Sequence, residues 1–489
     1  MPSLAAGVLV FFTSAAVLVL EILAGRLLAP YVGVSLETYT GIIGTVLAGI
    51  SLGSWLGGRA ADRIDPRRLL GPLVAAGGVL ALLAPVWVSM FGAGLQGAGP
   101  VAIVVLAFVG FFAPAVVLSA VNPTVVKLQL DDLDETGTVV GRLAAIGTAG
   151  AIVGTFLTGF LLIAALPSDT IVLGLGSSLV LVGVVLWWAL RPTDTAGVVW
   201  IVIVAVFAAL LTVARVSPCK YESAYFCARV VPDSTRASGR LLLLDTVRHS
   251  YMDLSDPTHL EFAYARTVSD VLAMVAPAGE PLDVLSIGGG GFTLPRYVAA
   301  TRPGSTNLVL ELDPMLVEIA RQELGLVADP ELRVQVGDAR LTLRGVPRSA
   351  FDVVIGDAFG GLAVPWHLTT QEFLAEVKAR LRPEGIYVMN LIDYPPLGFA
   401  RAEANTLRHV FSHVAVFAPP DHLRGDEGGN FVLVASDAPI QVDAILARSK
   451  ARGGAGAALA GGSLEPFVNG APLLTDDYAP VDQLMTPRR

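Results

Sequence analysis

The 489-residue chain is 54% hydrophobic and only 15% charged, with a mean hydropathy of +0.66, which excludes an ordinary soluble protein of this length. Its formal net charge of −9 disfavours a nucleic-acid partner and tolerates cationic small molecules. Two cysteines and six histidines, with no CxxC and no histidine cluster, offer no metal-site pattern.

The apolar excess lies in the first half. Seven runs, at residues 4–28, 39–60, 69–91, 100–126, 143–166, 171–190 and 197–214, are each long enough to cross a hydrocarbon layer of about 30 Å. They predict a multi-pass helical domain over residues 1–215, with the lipid bilayer as its partner. Glycine recurs in the second run (Gly41, Gly44, Gly49, Gly53, Gly57), a spacing that lets membrane helices approach closely. The first run carries Glu21 and lacks a basic leader, so it reads as a retained span, not a cleaved signal. Glu21 is the one acid deep in the spans; it either pairs with a polar neighbour or serves ion or proton movement.

Basic residues gather in alternate loops: Arg59, Arg63, Arg67 and Arg68, then Lys127 and Arg142, then Arg191. The positive-inside rule makes those loops and the N-terminus cytoplasmic. Seven spans then release the chain on the outer side, so the C-terminal region is expected to be extracytoplasmic. Cys219 and Cys227 follow the last span directly, and a disulfide between them suits that compartment; two unrelated thiols are the alternative.

Beyond residue 215 the composition is that of a globular protein, with 24 basic and 32 acidic residues. Residues 216–260 form a small β-rich segment, with strands at 224–231 and 240–254 joined by the polar turn Pro232-Asp233-Ser234-Thr235. Residues 261–489 alternate strands (283–287, 307–311, 332–336, 351–355, 385–391) with helical stretches (292–300, 314–324, 369–381). That alternation predicts a doubly wound α/β sheet of the Rossmann type. Two late runs, 414–417 and 430–435, read as an antiparallel pair closing its edge.

In such sheets ligands bind outside the carboxyl ends of the strands. The first strand runs into Gly288-Gly289-Gly290-Gly291, and the next three end in Glu311 and Asp313, in Asp338-Ala339, and in Asp357. A glycine loop followed by acids at successive strand tips fits an adenosine-type ligand. Gly288 and Gly290 allow close approach, Glu311 accepts from ribose hydroxyls, and Asp338 with Ala339 meets the adenine. No P-loop lysine follows the glycines, which argues against a phosphate cradle. Asp357 either orients and deprotonates an amine at the reacting end of the ligand or caps the loop after its strand.

The glycine and acid motifs, together with Asp357-Ala358-Phe359, Val364-Pro365-Trp366-His367-Leu368 and the tail Leu474-Thr475-Asp476-Asp477-Tyr478, resemble the spermidine synthase family of aminopropyltransferases. The membrane segments resemble its bacterial membrane-fused form. The resemblance implies a sheet like that of S-adenosylmethionine methyltransferases. It also implies transfer of an aminopropyl group from decarboxylated S-adenosylmethionine to a small cationic polyamine such as putrescine, without a metal. It places Glu311 on ribose, Asp338 on adenine, Asp357 at the nucleophile, and His249 and Tyr264 beside the acceptor; related soluble domains commonly pair as homodimers. Where the family carries the acid that holds the donor's amine, this chain has Gly291; Ala265 and Gly360 also depart from its motifs. Two other readings stand beside this one: a methyltransferase using S-adenosylmethionine itself, and a catalytically inactive membrane protein that binds or transports a ligand.

Overall fold

The computed structural model describes residues 1–96, 99–130, 134, 136–190 and 195–485; Arg191, one of the basic loop residues, lies outside them. The chain divides into two compact units, residues 1–229 with 244–246 and residues 230–243 with 247–489.

In the first unit each of the seven apolar runs is a helix: α1 (Ser3–Val32), α2 (Leu36–Arg63), α3 (Pro66–Leu95), α4 (Pro100–Gln129), α5 (Thr136–Ala165), α6 (Ser168–Leu190) and α7 (Gly197–Ala214). All seven are long and apolar enough to cross a membrane. Local signals set the starts. Ser35 Oγ accepts from Thr38 N–H at 3.2 Å before α2, and Asp65 accepts from Arg67 N–H at 3.0 Å with Pro66 at the first position of α3. The glycines of α2 are contact points. A Cβ on Gly57 would stand 2.6 Å from Ala120 Cα, and one on Gly53 would strike the Val116 backbone. Small residues at these positions let the helix backbones approach closely.

The two ends of this unit differ. Lys127 Nζ lies 3.1 Å from Asp62, and Gln129 donates to the Met1 carbonyl at 2.9 Å, so the basic loops and the first residue share one end. At the other end Arg26 donates to the carbonyls of Ser223 and Phe226, Glu222 accepts from Ser168 N–H at 3.2 Å, and Arg215 pairs with Asp169. The Cys219–Cys227 disulfide lies in the segment held at this second end.

Four short strands follow, in the order β1 (Tyr221–Glu222), β2 (Cys227–Pro232), β3 (Gly239–Leu244) and β4 (Val247–Asp253). The run 240–254, expected as one strand, is two. It breaks at Asp245, whose φ is +51° and whose carboxylate accepts from Cys227 N–H at 3.0 Å.

The second unit is built on an eight-stranded sheet of β5 (Asp283–Ile287), β6 (Thr306–Glu311), β7 (Leu332–Val336), β8 (Phe351–Gly356), β9 (Leu381–Asp393), β10 (His413–Ala418), β11 (Gly429–Ser436) and β12 (Ala457–Ala460), in the order β12-β10-β11-β9-β8-β5-β6-β7. The last five of that order are parallel. β10 and β11 are antiparallel, yet they do not close the edge: β11 pairs with β9, and β12 lies outside β10. β12 reads Ala-Ala-Leu-Ala, too short and too uniform to show a strand period.

Helices cover both faces: α8 (Ala263–Val275), α9 (Thr293–Thr301), α10 (Pro314–Glu323), α11 (Ala339–Leu343), α12 (Gln371–Lys378), α13 (Gly398–Val410) and α14 (Val442–Ala451). The strands alternate between two cores. Leu285, Ile287 and Val354 join Phe373 and Phe399 on one face, while Val284, Val353 and Ile355 join Val268 and Val298 on the other. The period of two in a strand buried on both sides requires this division. Thr370 caps α12 by accepting from Phe373 N–H at 3.3 Å, so the helix starts later than its apolar pattern does.

Glu403 of α13 is wholly buried, and neither carboxyl oxygen has a hydrogen-bond partner among the described residues. Burial raises its pKa well above the ordinary carboxylate range. A folded-state pKa above the unfolded one costs nothing below the unfolded value. The penalty then grows as pH rises toward the folded pKa, by about 1.4 kcal/mol per pH unit. Glu403→Gln is therefore expected to match the parent near pH 4 and to melt progressively higher toward pH 8. Melting curves of the full chain at a series of pH values check this, and a pH-independent difference would contradict it.

Candidate active site

The site is assembled at the carboxyl ends of β5, β6, β8 and β9. β5 delivers the chain into the glycine loop, where Gly288 and Gly290 take φ of +94° and +50°. A Cβ on Gly288 would overlap the Asp357 carbonyl at the end of β8. Only glycine combines that angle with that proximity. The loop ends at Phe292, itself left-handed at φ +60°, which opens α9.

Glu311, at the tip of β6, is 5% exposed. One oxygen accepts from Gly289 N–H at 2.8 Å and Gly290 N–H at 3.1 Å, and the other from Asp313 N–H at 2.9 Å. Burial raises its pKa, and the three backbone donors offset part of that rise. The carboxylate expected to meet ribose thus also fastens the glycine loop.

His249, on β4, lies against that loop. A Cβ on Gly290 would be 2.7 Å from its Cε1, and its Nδ1 is 2.9 Å from Ser250 Oγ. Enclosure lowers the His249 pKa to about 4, so the ring is neutral at pH 7. Ser250 Oγ accepts from Gly291 N–H at 3.0 Å. It also accounts for the glycine at 291, since a Cβ there would stand 2.7 Å from Ser250 Cβ.

Asp357 follows β8 and donates its own N–H to the Ile287 carbonyl at 2.9 Å, which places it beside the glycine loop. Its carboxylate accepts from Tyr264 Oη of α8 at 3.0 Å and from Asn390 Nδ2 of β9 at 2.9 Å. Burial raises its pKa, and those two hydrogen bonds pull it back. The Tyr264 phenol is pushed well above its usual range, by burial and by the Asp357 carboxylate. A carboxylate held by two donors, beside a glycine loop that also meets the neutral His249 imidazole, can align an amine and take its proton.

Asp338 follows β7, the edge strand beside β6. It caps α11 by accepting from Leu341 N–H at 3.0 Å, and its other oxygen is 3.0 Å from His367 Nε2; Ala339 beside it is buried. The structure thus joins Gly288, Gly290, Glu311, His249, Tyr264 and Asp357 in one neighbourhood, and gives Asp338 a capping and histidine-pairing role at the adjoining tip. Three contributors had no motif to mark them: Ser250, Asn390 and Asn430, whose Nδ2 donates to Asn390 Oδ1; His367 lies within the run Val364-Pro365-Trp366-His367-Leu368, which by itself assigns it no role. Asn390 alone left a trace, as an amide inside the otherwise apolar run Tyr387-Val388-Met389-Asn390-Leu391. Among the described residues no group of three or more His, Cys, Asp or Glu side chains could hold a metal ion.

Residues 261–416 match the model of the spermine/spermidine synthase domain. The polyamine aminopropyltransferase of Vibrio vulnificus is 32% identical over 186 residues, which is 38% of this chain; the chain spans only 58% of that relative's length. Polyamine aminopropyltransferase 2 of Streptomyces coelicolor is 30% identical over 426 residues, covering 82% of this chain and 76% of the relative. The crystal structure of a probable spermidine synthase from Corynebacterium glutamicum superimposes with a TM-score of 0.50 at 30% identity, covering 53% of this chain and 97% of that one. With a relative of that identity matched across both the helical and the α/β regions, the chain belongs to the polyamine aminopropyltransferase (spermidine synthase) family.

Proposed function

We propose that this protein is a membrane-anchored aminopropyltransferase that uses decarboxylated S-adenosylmethionine and a polyamine such as putrescine. The observation that carries the reading is the Asp357 carboxylate, held by Tyr264 and Asn390 directly beside the glycine loop. In the reaction a neutral amine attacks the methylene carbon next to the sulfonium. A carbon–nitrogen bond forms, the carbon–sulfur bond breaks, and methylthioadenosine leaves. Asp357 orients the amine and receives its proton. Glu311 takes the ribose hydroxyls while keeping the glycine N–H groups, Asp338 and Ala339 border the adenine, and His249, uncharged, lines the acceptor side without repelling a cation.

The full chain in detergent, given decarboxylated S-adenosylmethionine and putrescine, should release methylthioadenosine with spermidine. Transfer of a methyl group from ordinary S-adenosylmethionine, with no product from the decarboxylated donor, would select the methyltransferase reading instead.

The same reading sets the seven helices across a membrane with the basic loops and N-terminus cytoplasmic and the second unit outside. It is supported by the separation of the basic end from the disulfide end in the helical unit. An extracytoplasmic domain also favours a second reading, a binding or transport protein, because sulfonium donors are made in the cytosol. An alkaline phosphatase fused after Arg489 is expected to be active and a fluorescent protein fused there dark; the reverse pair of signals would place the domain inside.

A further inference from the structure

Asn390 and Asn430 stand on the neighbouring strands β9 and β11. Asn390 Nδ2 donates to Asp357 Oδ1 at 2.9 Å, and Asn430 Nδ2 donates to Asn390 Oδ1 at 2.9 Å. Chemistry sets the direction of this chain. An ionised carboxylate has no proton to give, so the Asn390 amide must turn its NH₂ toward Asp357. Its oxygen then faces β11, and only a donor there satisfies it. Asn390 is 3% exposed and borders a small cavity with Ile287, Tyr387 and Met389, a setting that distinguishes weakly between the two ends of an amide. Reversed, Asn390 would aim an oxygen at the carboxylate and leave a buried donor unmet.

We propose that Asn430 is a positioning residue: by donating to Asn390 Oδ1 it holds that amide with its NH₂ toward Asp357, and so keeps the carboxylate ionised and aimed for the transfer. The groups that face Asp357 are Tyr264 from α8, Asn390 from β9 and the glycine loop after β5; Asn430 touches none of the reacting atoms. The role in transfer rests on the reading of Asp357 given above, while the amide relay itself does not.

The test uses the full chain carrying Asn430→Asp or Asn430→Ala. Aspartate at 430 accepts where asparagine donates and reverses the Asn390 amide; alanine merely releases it and adds no charge. Carboxyl infrared spectra, each subtracted from those of the same chain with Asp357→Asn, follow protonation of Asp357 without any turnover. The midpoint is expected to rise by about one pH unit in Asn430→Asp and by less in Asn430→Ala. The acid limb of the kcat/KM profile should move with it, and the rate above that limb should return to within about two-fold of the parent. If Asn430→Asp does not fold, Asn430→Ala decides alone. An unmoved midpoint, with activity lowered evenly at every pH, would overturn the proposal. A moved midpoint in a chain that releases no methylthioadenosine would sustain the relay and overturn the transferase reading instead.

Discussion

Asp357→Asn is expected to lower turnover by about 10²–10⁴-fold while leaving donor affinity within a few-fold. The substitution keeps the shape of the side chain and removes its charge. Asn390, its NH₂ turned toward residue 357 by Asn430, donates only to the new amide oxygen, so the new NH₂ group faces Tyr264 Oη. The site stays closed and hydrogen-bonded, but nothing at the end of β8 can accept the proton of the attacking amine. Burial raises the pKa of the native carboxyl, and the ionised form is the competent one. Activity should therefore rise with pH through a value above that of an ordinary aspartate, and fall as pH drops below it. Single-turnover kinetics with calorimetry of donor binding separates the two effects. Unchanged turnover would reduce Asp357 to a loop cap.

Glu311→Ala is the second large effect, and it acts on two properties at once. Three N–H groups, those of the half-buried Gly289 and the buried Gly290 and Asp313, lose their acceptor. Each unmet buried donor costs roughly 1–3 kcal/mol, so with two of the three buried a loss of at least about 2 kcal/mol of stability is expected. The glycine loop is then no longer held in its left-handed turns, and donor affinity should fall by at least about 100-fold. Glu311→Gln keeps one acceptor oxygen and should be intermediate in both respects. Thermal melting and calorimetry on the same preparations check the pair. Weakened binding without destabilisation would mean that the carboxylate serves the ligand alone.

Much of this arrangement was legible because its signals are local. Seven long apolar stretches bounded by charged or turn-forming residues read as helices that bond their own backbone, so their number and order follow from composition. The strands from β5 to β9 showed themselves by alternation with helices, and Gly288, Glu311 and Asp357 by standing where an apolar run ends. A residue's position at a strand tip is a one-dimensional property.

What was hidden is non-local. The split of 240–254 into two strands depends on Asp245 reaching the backbone of Cys227, eighteen residues earlier. The order β12-β10-β11-β9 arises from pairing between distant segments, which hydrophobic period does not encode. Ser250 explains the glycine at 291 only because the end of β4 is packed against the glycine loop.

The sequence by itself determined that this chain carries seven long apolar helices, a glycine-loop α/β domain and acids at its strand tips, since each follows from residue type and local spacing. Only the tertiary structure decided what those acids hold: Glu311 the loop, Asp338 a helix start and His367, and Asp357 the donors Tyr264 and Asn390. The reason is geometric: a hydrogen bond needs its partners within about 3 Å, and only the folded sheet brings residues from α8, β8, β9 and β11 that close.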